Sequence, residues 1–198
     1  MRRNICLVIA SLCTLALAGT AQAGVLVASA PDCASDGGST VFSPWLDPAS
    51  YVLAPGGAAE SADGWSLSGG SGIVDGNEPW NIHGAADSHA LSLPWGASAT
   101  TGTMCVGIEN PDLRFFTRGS GVGVVKVDVL FETASGAVAS APVGAMTPSG
   151  WTPSPVMPIT ASLLPLLPGS HTPVQFRFTA VGGNFTIDDV YVDPWSRY

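Results

Sequence analysis

Residues 123–131 read Gly-Val-Val-Lys-Val-Asp-Val-Leu-Phe, and their alternation decides the fold class. Val125, Val127, Val129 and Phe131 share one phase, while Lys126 and Asp128 take the other. A period of two with one apolar phase predicts a strand that buries one face. Val174, Phe176, Phe178 and Ala180 repeat the pattern against Gln175, Arg177 and Thr179. Weaker strands are expected at Tyr51–Ala54, Trp65–Leu67, His89–Leu93, Thr103–Ile108, Leu113–Thr117 and Leu163–Leu167, divided by Gly, Pro, Ser and Asn clusters. No segment sustains a helical period, and no internal repeat is evident. Eight to ten short strands in one Gly-rich acidic chain predict an all-β antiparallel sandwich.

The chain has 198 residues and a formal charge of −8. Met1-Arg2-Arg3-Asn4, the apolar run Ile5–Ala18 and Ala21-Gln22-Ala23 have the form of a secretory signal with an A-x-A cleavage site, so residues 1–23 are expected to be removed. Taking Arg2 and Arg3 from the seven basic residues leaves five against 15 acidic ones, a charge of −10. That balance argues against nucleic acid as a partner. The run Val156–Pro168 is short and broken by proline, so no membrane span is expected after signal removal and the mature protein should be a soluble, secreted one. Residues 24–40 read as a small, polar N-terminal arm, and residues 41–198 as one domain.

Cys6 and Cys13 fall in the signal, which leaves Cys33 and Cys105. In an exported chain an even pair reads as a disulfide, closing a loop of about 70 residues and contributing roughly 4 kcal/mol on the chain-entropy model. Free thiols or a metal site are the alternatives.

Residues 185–195, Phe-Thr-Ile-Asp-Asp-Val-Tyr-Val-Asp-Pro-Trp, change phase. Phe185 and Ile187 follow one alternation, Val190 and Val192 the other, with the break at Asp188-Asp189. A one-residue break in a strand predicts a bulge that aims adjacent side chains at one place. Two readings of this acidic pair stand side by side: capping of backbone amides at the bulge, or a cation between carboxylates. Asp193 before Pro194 reads as a turn residue.

The I-D-D-V of this segment, with P-G-G-A-A-E-S-A-D-G-W at 55–65, resembles galactose-binding-like jelly rolls, including carbohydrate-binding modules. The whole mature chain is also similar to a group of exported actinobacterial proteins, through W-L-D-P-A-S-Y-V-L-A-P-G-G (45–57), M-C-V-G (104–107), L-R-F-F (113–116) and I-D-D-V-Y-V-D-P (187–194). The resemblance implies a jelly-roll fold with a structural calcium ion held by Glu60 and Asp188, with Asp189 beside them. Ala59 stands where the pattern has phenylalanine.

A sugar site needs flat aromatic surface and planar polar groups. Trp80 lies in V-D-G-N-E-P-W-N-I-H-G with Asn77, Glu78 and Asn81, and this loop is the first candidate for a ligand contact. Trp95 after Pro94 and Trp45 in S-P-W-L-D-P follow, whereas Trp65 reads as core. The alternative for the loop is turn chemistry with one half-buried aromatic.

For catalysis there is no G-x-S-x-G and no H-E-x-x-H, and His83, His89 and His171 form no recognised ligand spacing. His83 and His89 flanking Asp87 read as a loop running into a strand rather than a metal site. Asp75, Glu78, Glu109 and Asp112 are available to a glycosidase, whose criterion is separation in space. Arg114 and Arg118 are expected to pair with the acidic excess. The sequence thus favours a non-catalytic module binding carbohydrate or a cell-surface polymer, then an extracellular structural or adhesive domain, then a small glycoside hydrolase.

Overall fold

The computed structural model describes residues 38–106, 112–133, 136–159 and 172–193. The signal, Cys33, Glu109, the strand expected at Leu163–Leu167, His171 and Trp195 lie outside the described residues, and with Cys33 so does one half of the expected disulfide.

Two antiparallel sheets face one another. The first contains β3 (Gly72–Asp75), β4 (His89–Leu93), β7 (Asp112–Arg118), β10 (Thr152–Pro153) and β13 (Phe185–Val192) in the order β10-β7-β13-β4-β3. Two short strands attach to it: β1 (Val52–Leu53) pairs with β13, and β11 (Met157–Pro158) with β7. The second sheet runs β2 (Trp65–Ser68), β5 (Ser98–Thr101), β12 (Thr172–Val181), β8 (Val124–Glu132), β9 (Val138–Met146), with β6 (Met104–Val106) on β12. The architecture is an all-β jelly-roll sandwich, as the alternation required.

The inner faces carry the expected phases. Val125, Val127, Val129 and Phe131 of β8 and Val174, Phe176, Phe178 and Ala180 of β12 are buried in the core between the sheets, with Leu91, Phe115 and Ile187 from the opposite sheet. Trp65 packs on this core and its indole N–H donates to Gly56 O at 2.6 Å. On the outer face Asp128 is nonetheless buried, because Lys126 Nζ sits 2.9 Å from it and Arg177 3.8 Å.

Strands β3, β5 and β9 escape the sequence pattern. Ser98–Thr101 is too short and polar to show a period, and β9 contains Pro142 and Gly144. In the structure Val127 pairs with Gly144 and Asp128 with Pro142, so Val143 is the extra residue of a bulge in an edge strand. There a missing N–H is tolerated.

The central strands β7 and β13 are covered on both faces. Phe115 points to the core, while Phe116 and Tyr191 point outward and pack with Phe42 and Tyr51. The covering segment includes a 3₁₀ turn, Ser43–Trp45, and is fastened by Arg114. Its guanidinium donates to Asp47 Oδ2 at 2.6 Å and to Ser154 O, and lies 4.2 Å over the Phe42 ring. Tyr51 Oη also donates to Asp47 Oδ2, at 2.8 Å. Asp47 is thereby held below the usual carboxylate range: burial raises it, but the bonds from Tyr51, Arg114 and the Ala49 amide outweigh burial. Arg118 stacks on Trp151, its guanidinium 5.2 Å from the ring centroid. Among the described residues no helix is long and apolar enough to cross a membrane.

Candidate functional site: a buried carboxylate cage beside an aromatic platform

The phase break of the last strand is a bulge. The register of β13 on β7 shifts between Asp188 and Tyr191, and Asp189 has φ 50°. At this point β13 also changes neighbours on its other edge. Phe185–Ile187 pair with β4, whereas Tyr191 and Val192 pair with β1. The gap between these partners is bridged by the loop after β1: Ala54 N–H donates to Val190 O at 2.9 Å and Val190 N–H to Gly57 O at 3.0 Å. A Cβ on Gly57 would stand 2.5 Å from Val190 O, so the close approach requires glycine there.

Into the same gap project Glu78, from the loop after β3, and Asp87, just before β4. Ligand oxygens of Glu78, Asp87 and Asp189 lie within 4.8 Å of one another, and all three residues are buried. Neither carboxylate oxygen of Asp87 or of Asp189 has a hydrogen-bond partner. Burial pushes Asp189 up to about 8, reinforced by the charges of Asp87 and Glu78, while the nearby His83 amide pulls the other way without offsetting them. Burial likewise raises Asp87 to about 7, and the neighbouring Glu60 carboxylate adds to the shift. Buried anions without donors are costly unless a cation or protons neutralise them.

The residues that the resemblance implied lie around this cage in different roles. Asp188 is fully buried, but Asp189 N–H donates to its Oδ1 at 2.9 Å and Glu78 N–H to its Oδ2 at 3.3 Å. It performs the amide capping expected of a bulge, and burial followed by the charges of Asp189 and Asp87 lifts it to about 9. Glu60 Oε1 accepts from the amides of Ser88 and His89, both at 2.8 Å, and its Oε2 lies 3.1 Å from His89 Nδ1. Burial raises Glu60, yet Asp87, Ser88 and His89 together hold it down at about 2. Glu60 thus clamps the start of β4, immediately behind Asp87. Asp193 follows β13 with its amide donating to Asp112 O, and is raised to about 6 by burial and then by Asp112 and Asp47.

Glu78 and Trp80 occupy one loop with separate tasks. The Glu78 carboxylate accepts from the amides of Trp80 and Ile82, both at 2.5 Å, so it faces inward rather than to a surface ligand. Trp80 is 43% exposed and rests at 5.0 Å edge-to-face on Trp45 and at 5.4 Å on Phe116. Asn77 is spent on the loop: its Oδ1 accepts from Glu78 N–H, and its Nδ2 donates to Asp87 O and Asn81 Oδ1. Asn81 is exposed beside Trp80. Trp95, 75% exposed, follows the far end of β4 and does not join this group.

Asp87 was the residue sequence reasoning assigned to a loop, and its place in the cage follows from the pairing of β4 with β13. Of the carboxylates available to a glycosidase, Asp75 is exposed and 3.5 Å from His89 Nε2, Glu78 is in the cage, and Asp112 begins β7. His89 starts β4, as its reading as a strand residue required.

No protein-family model matches the chain, and neither does any curated protein sequence. Among solved structures, the N-terminal CBM22-1–GH10 modules of Clostridium thermocellum endo-1,4-β-D-xylanase 10B, complexed with xylohexaose, are similar at 13% identity and a TM-score of 0.49. The match covers 74% of this chain and 28% of that one. The CBM22-1 xylan-binding domain from Paenibacillus barcinonensis is similar at 11% identity and a TM-score of 0.48, over 83% of this chain and 100% of that one. A non-crystalline cellulose specific carbohydrate-binding module, CBM28, is similar at 16% identity and a TM-score of 0.43, over 66% and 87%.

Proposed function

We propose that the protein is an exported, non-catalytic module that binds carbohydrate or another cell-surface polymer through Trp80, with a structural calcium ion in the cage of Glu78, Asp87 and Asp189. The observation that carries this reading is the double role of one loop. Glu78 lines the cage with its carboxylate while that carboxylate grips the amide of Trp80. A cation drawn into the cage would therefore stiffen the segment presenting the exposed indole. Hard carboxylate oxygens, several of them without donors, suit calcium, with backbone carbonyls and solvent completing its shell. The indole, backed by Trp45 and Phe116, offers a preorganised flat surface to the C–H face of a sugar ring, with Asn81 at its margin. In the same reading the Cys33–Cys105 disulfide ties the N-terminal arm to β6.

Affinity electrophoresis in gels containing soluble polysaccharides tests it. Retardation of the wild type, weaker in EDTA than in calcium and lost in Trp80→Ala, is the expected result. Retardation that Trp80→Ala leaves intact would remove this site from the reading, and a wild type retarded by no glycan would remove the function.

A further inference from the structure

The end of the sandwich opposite the cage has a different character. Five connections meet there: residues 69–71, 94–97, 119–123, 147–151 and 182–184. They contain no ionisable side chain, in a chain whose formal charge is −8. They are also fastened to one another. Trp95 N–H donates to Asn184 Oδ1 at 2.8 Å and Gly121 N–H donates to Pro148 O at 2.8 Å, while Ser71 Oγ ties its loop to the start of β5 by donating to Ser98 O at 2.9 Å. A Cβ on Gly183 would stand 2.2 Å from Val122 O, and one on Gly123, which has φ 77°, 2.4 Å from Val181 O. Backbones this close leave little freedom to the loops.

Three large apolar side chains stand out from this rigid end: Trp95 at 75% exposure, Val122 at 63% and Val181 at 47%. Single exposed apolar residues are ordinary, but Trp95 and Val122 on the loops and Val181 at the last position of β12 stand at one end of the sandwich. Because Asn184 Oδ1 is committed to the Trp95 amide, the Asn184 side-chain NH₂ remains as a donor beside the indole, with Ser120 on the neighbouring loop.

We infer that this loop end is a second binding site, specific for an uncharged sugar residue, with Trp95 as its stacking surface. The inference rests on the carbohydrate reading and deepens it by naming the ligand class and a separate place of contact. Loops without an ionisable side chain offer little to an anionic or cationic partner, Arg118 at the end of β7 being stacked on Trp151, and one exposed indole with small polar neighbours matches a single neutral ring. Asp189 lies five residues along β13 from Asn184, which at about 3.3 Å each puts roughly 16 Å between this end and the cage. One ring cannot reach both. Two sites on opposite ends let one molecule hold two points of a polymer or link two chains, with the gain in retention that bivalency brings.

The test uses the full chain in calcium, with Trp95→Ala and Val122→Ser at the loop end and Trp80→Ala at the other. Probes are soluble xylan and galactan as neutral polymers, polygalacturonate as an anionic one, and phosphatidylcholine vesicles. The wild type should be retarded by a neutral polymer and not by polygalacturonate. Trp95→Ala should weaken that binding roughly tenfold or more, with an unchanged unfolding midpoint. Binding that Trp95→Ala and Val122→Ser leave intact while Trp80→Ala abolishes it would overturn the second site and keep the proposed function. Preference for polygalacturonate would overturn the neutral-ligand inference. Vesicle binding that requires Trp95, without glycan binding, would assign the patch to a lipid surface and overturn both readings.

Discussion

Replacing Asp189 by asparagine should have opposite effects on stability with and without calcium. Asparagine keeps the size of the side chain and tolerates the left-handed backbone found at φ 50°, so the bulge itself should survive. It removes one of three clustered charges, and one of the two whose oxygens lack donors. In EDTA, Asp87, Asp189 and Asp188, at about 7, 8 and 9, hold protons in the folded chain that the unfolded chain has released. Their stabilising contribution is complete below the ordinary carboxylate range and is lost as pH rises through 7 to 9. Glu60, held at about 2, works with the opposite sign: its contribution is fully present above the ordinary carboxylate range and is lost only as pH falls toward 2, so it does not disturb this window. At pH 8 without metal the asparagine variant should therefore match or exceed the wild type. In calcium the order reverses, because the ion binds the ionised cage. At a free concentration 100 times Kd, binding stabilises the wild type by about 2.7 kcal/mol. In a domain of this size that is a rise in midpoint of roughly 5–11 °C. Thermal unfolding of wild type and variant at pH 5 and pH 8, in calcium and in EDTA, measures all of this. A wild type indifferent to calcium at pH 8, or an Asp189→Asn protein that gains as much from calcium, would refute the reasoning.

Three further outcomes follow from other parts of the fold. Arg114→Ala takes the cation from the half-buried Asp47 of the covering segment, and urea titration should show a loss of about 1.5–3 kcal/mol. Gly57→Ala forces a methyl group against Val190 O at the bulge and should cost about 1–3 kcal/mol by the same assay, with a weaker response to calcium as the cage shifts. Phe116→Ala empties the stack between Phe42 and Trp80, so it should cost about 3–5 kcal/mol and weaken glycan retardation in calcium along with stability.

The legible parts of the fold were those with a strong local period. Strands β8, β12 and β4 could be read because one phase of each is apolar, and the bulge in β13 because the phase itself changes at Asp188-Asp189. Strands β5 and β9 were hidden, since small, polar or proline-interrupted segments become strands only through their neighbours. The Trp80 loop was recognisable from an aromatic in polar surroundings, but its support by Trp45 and Phe116 was not.

The sequence by itself determined the all-β class, the position of the bulge and the acidic pair within it, because alternation and its interruption are local properties of the chain. Only the tertiary structure decided which carboxylates meet. Asp189 is joined by Asp87 and Glu78 because β4 is laid beside β13, and β3 beside β4, across about a hundred residues of sequence, while Asp188 and Glu60 are taken up by backbone amides. The uncharged loop end arises in the same way. Its five connections are ordinary turns one by one, and only the alignment of the strand ends gathers Trp95, Val122 and Val181 into one surface.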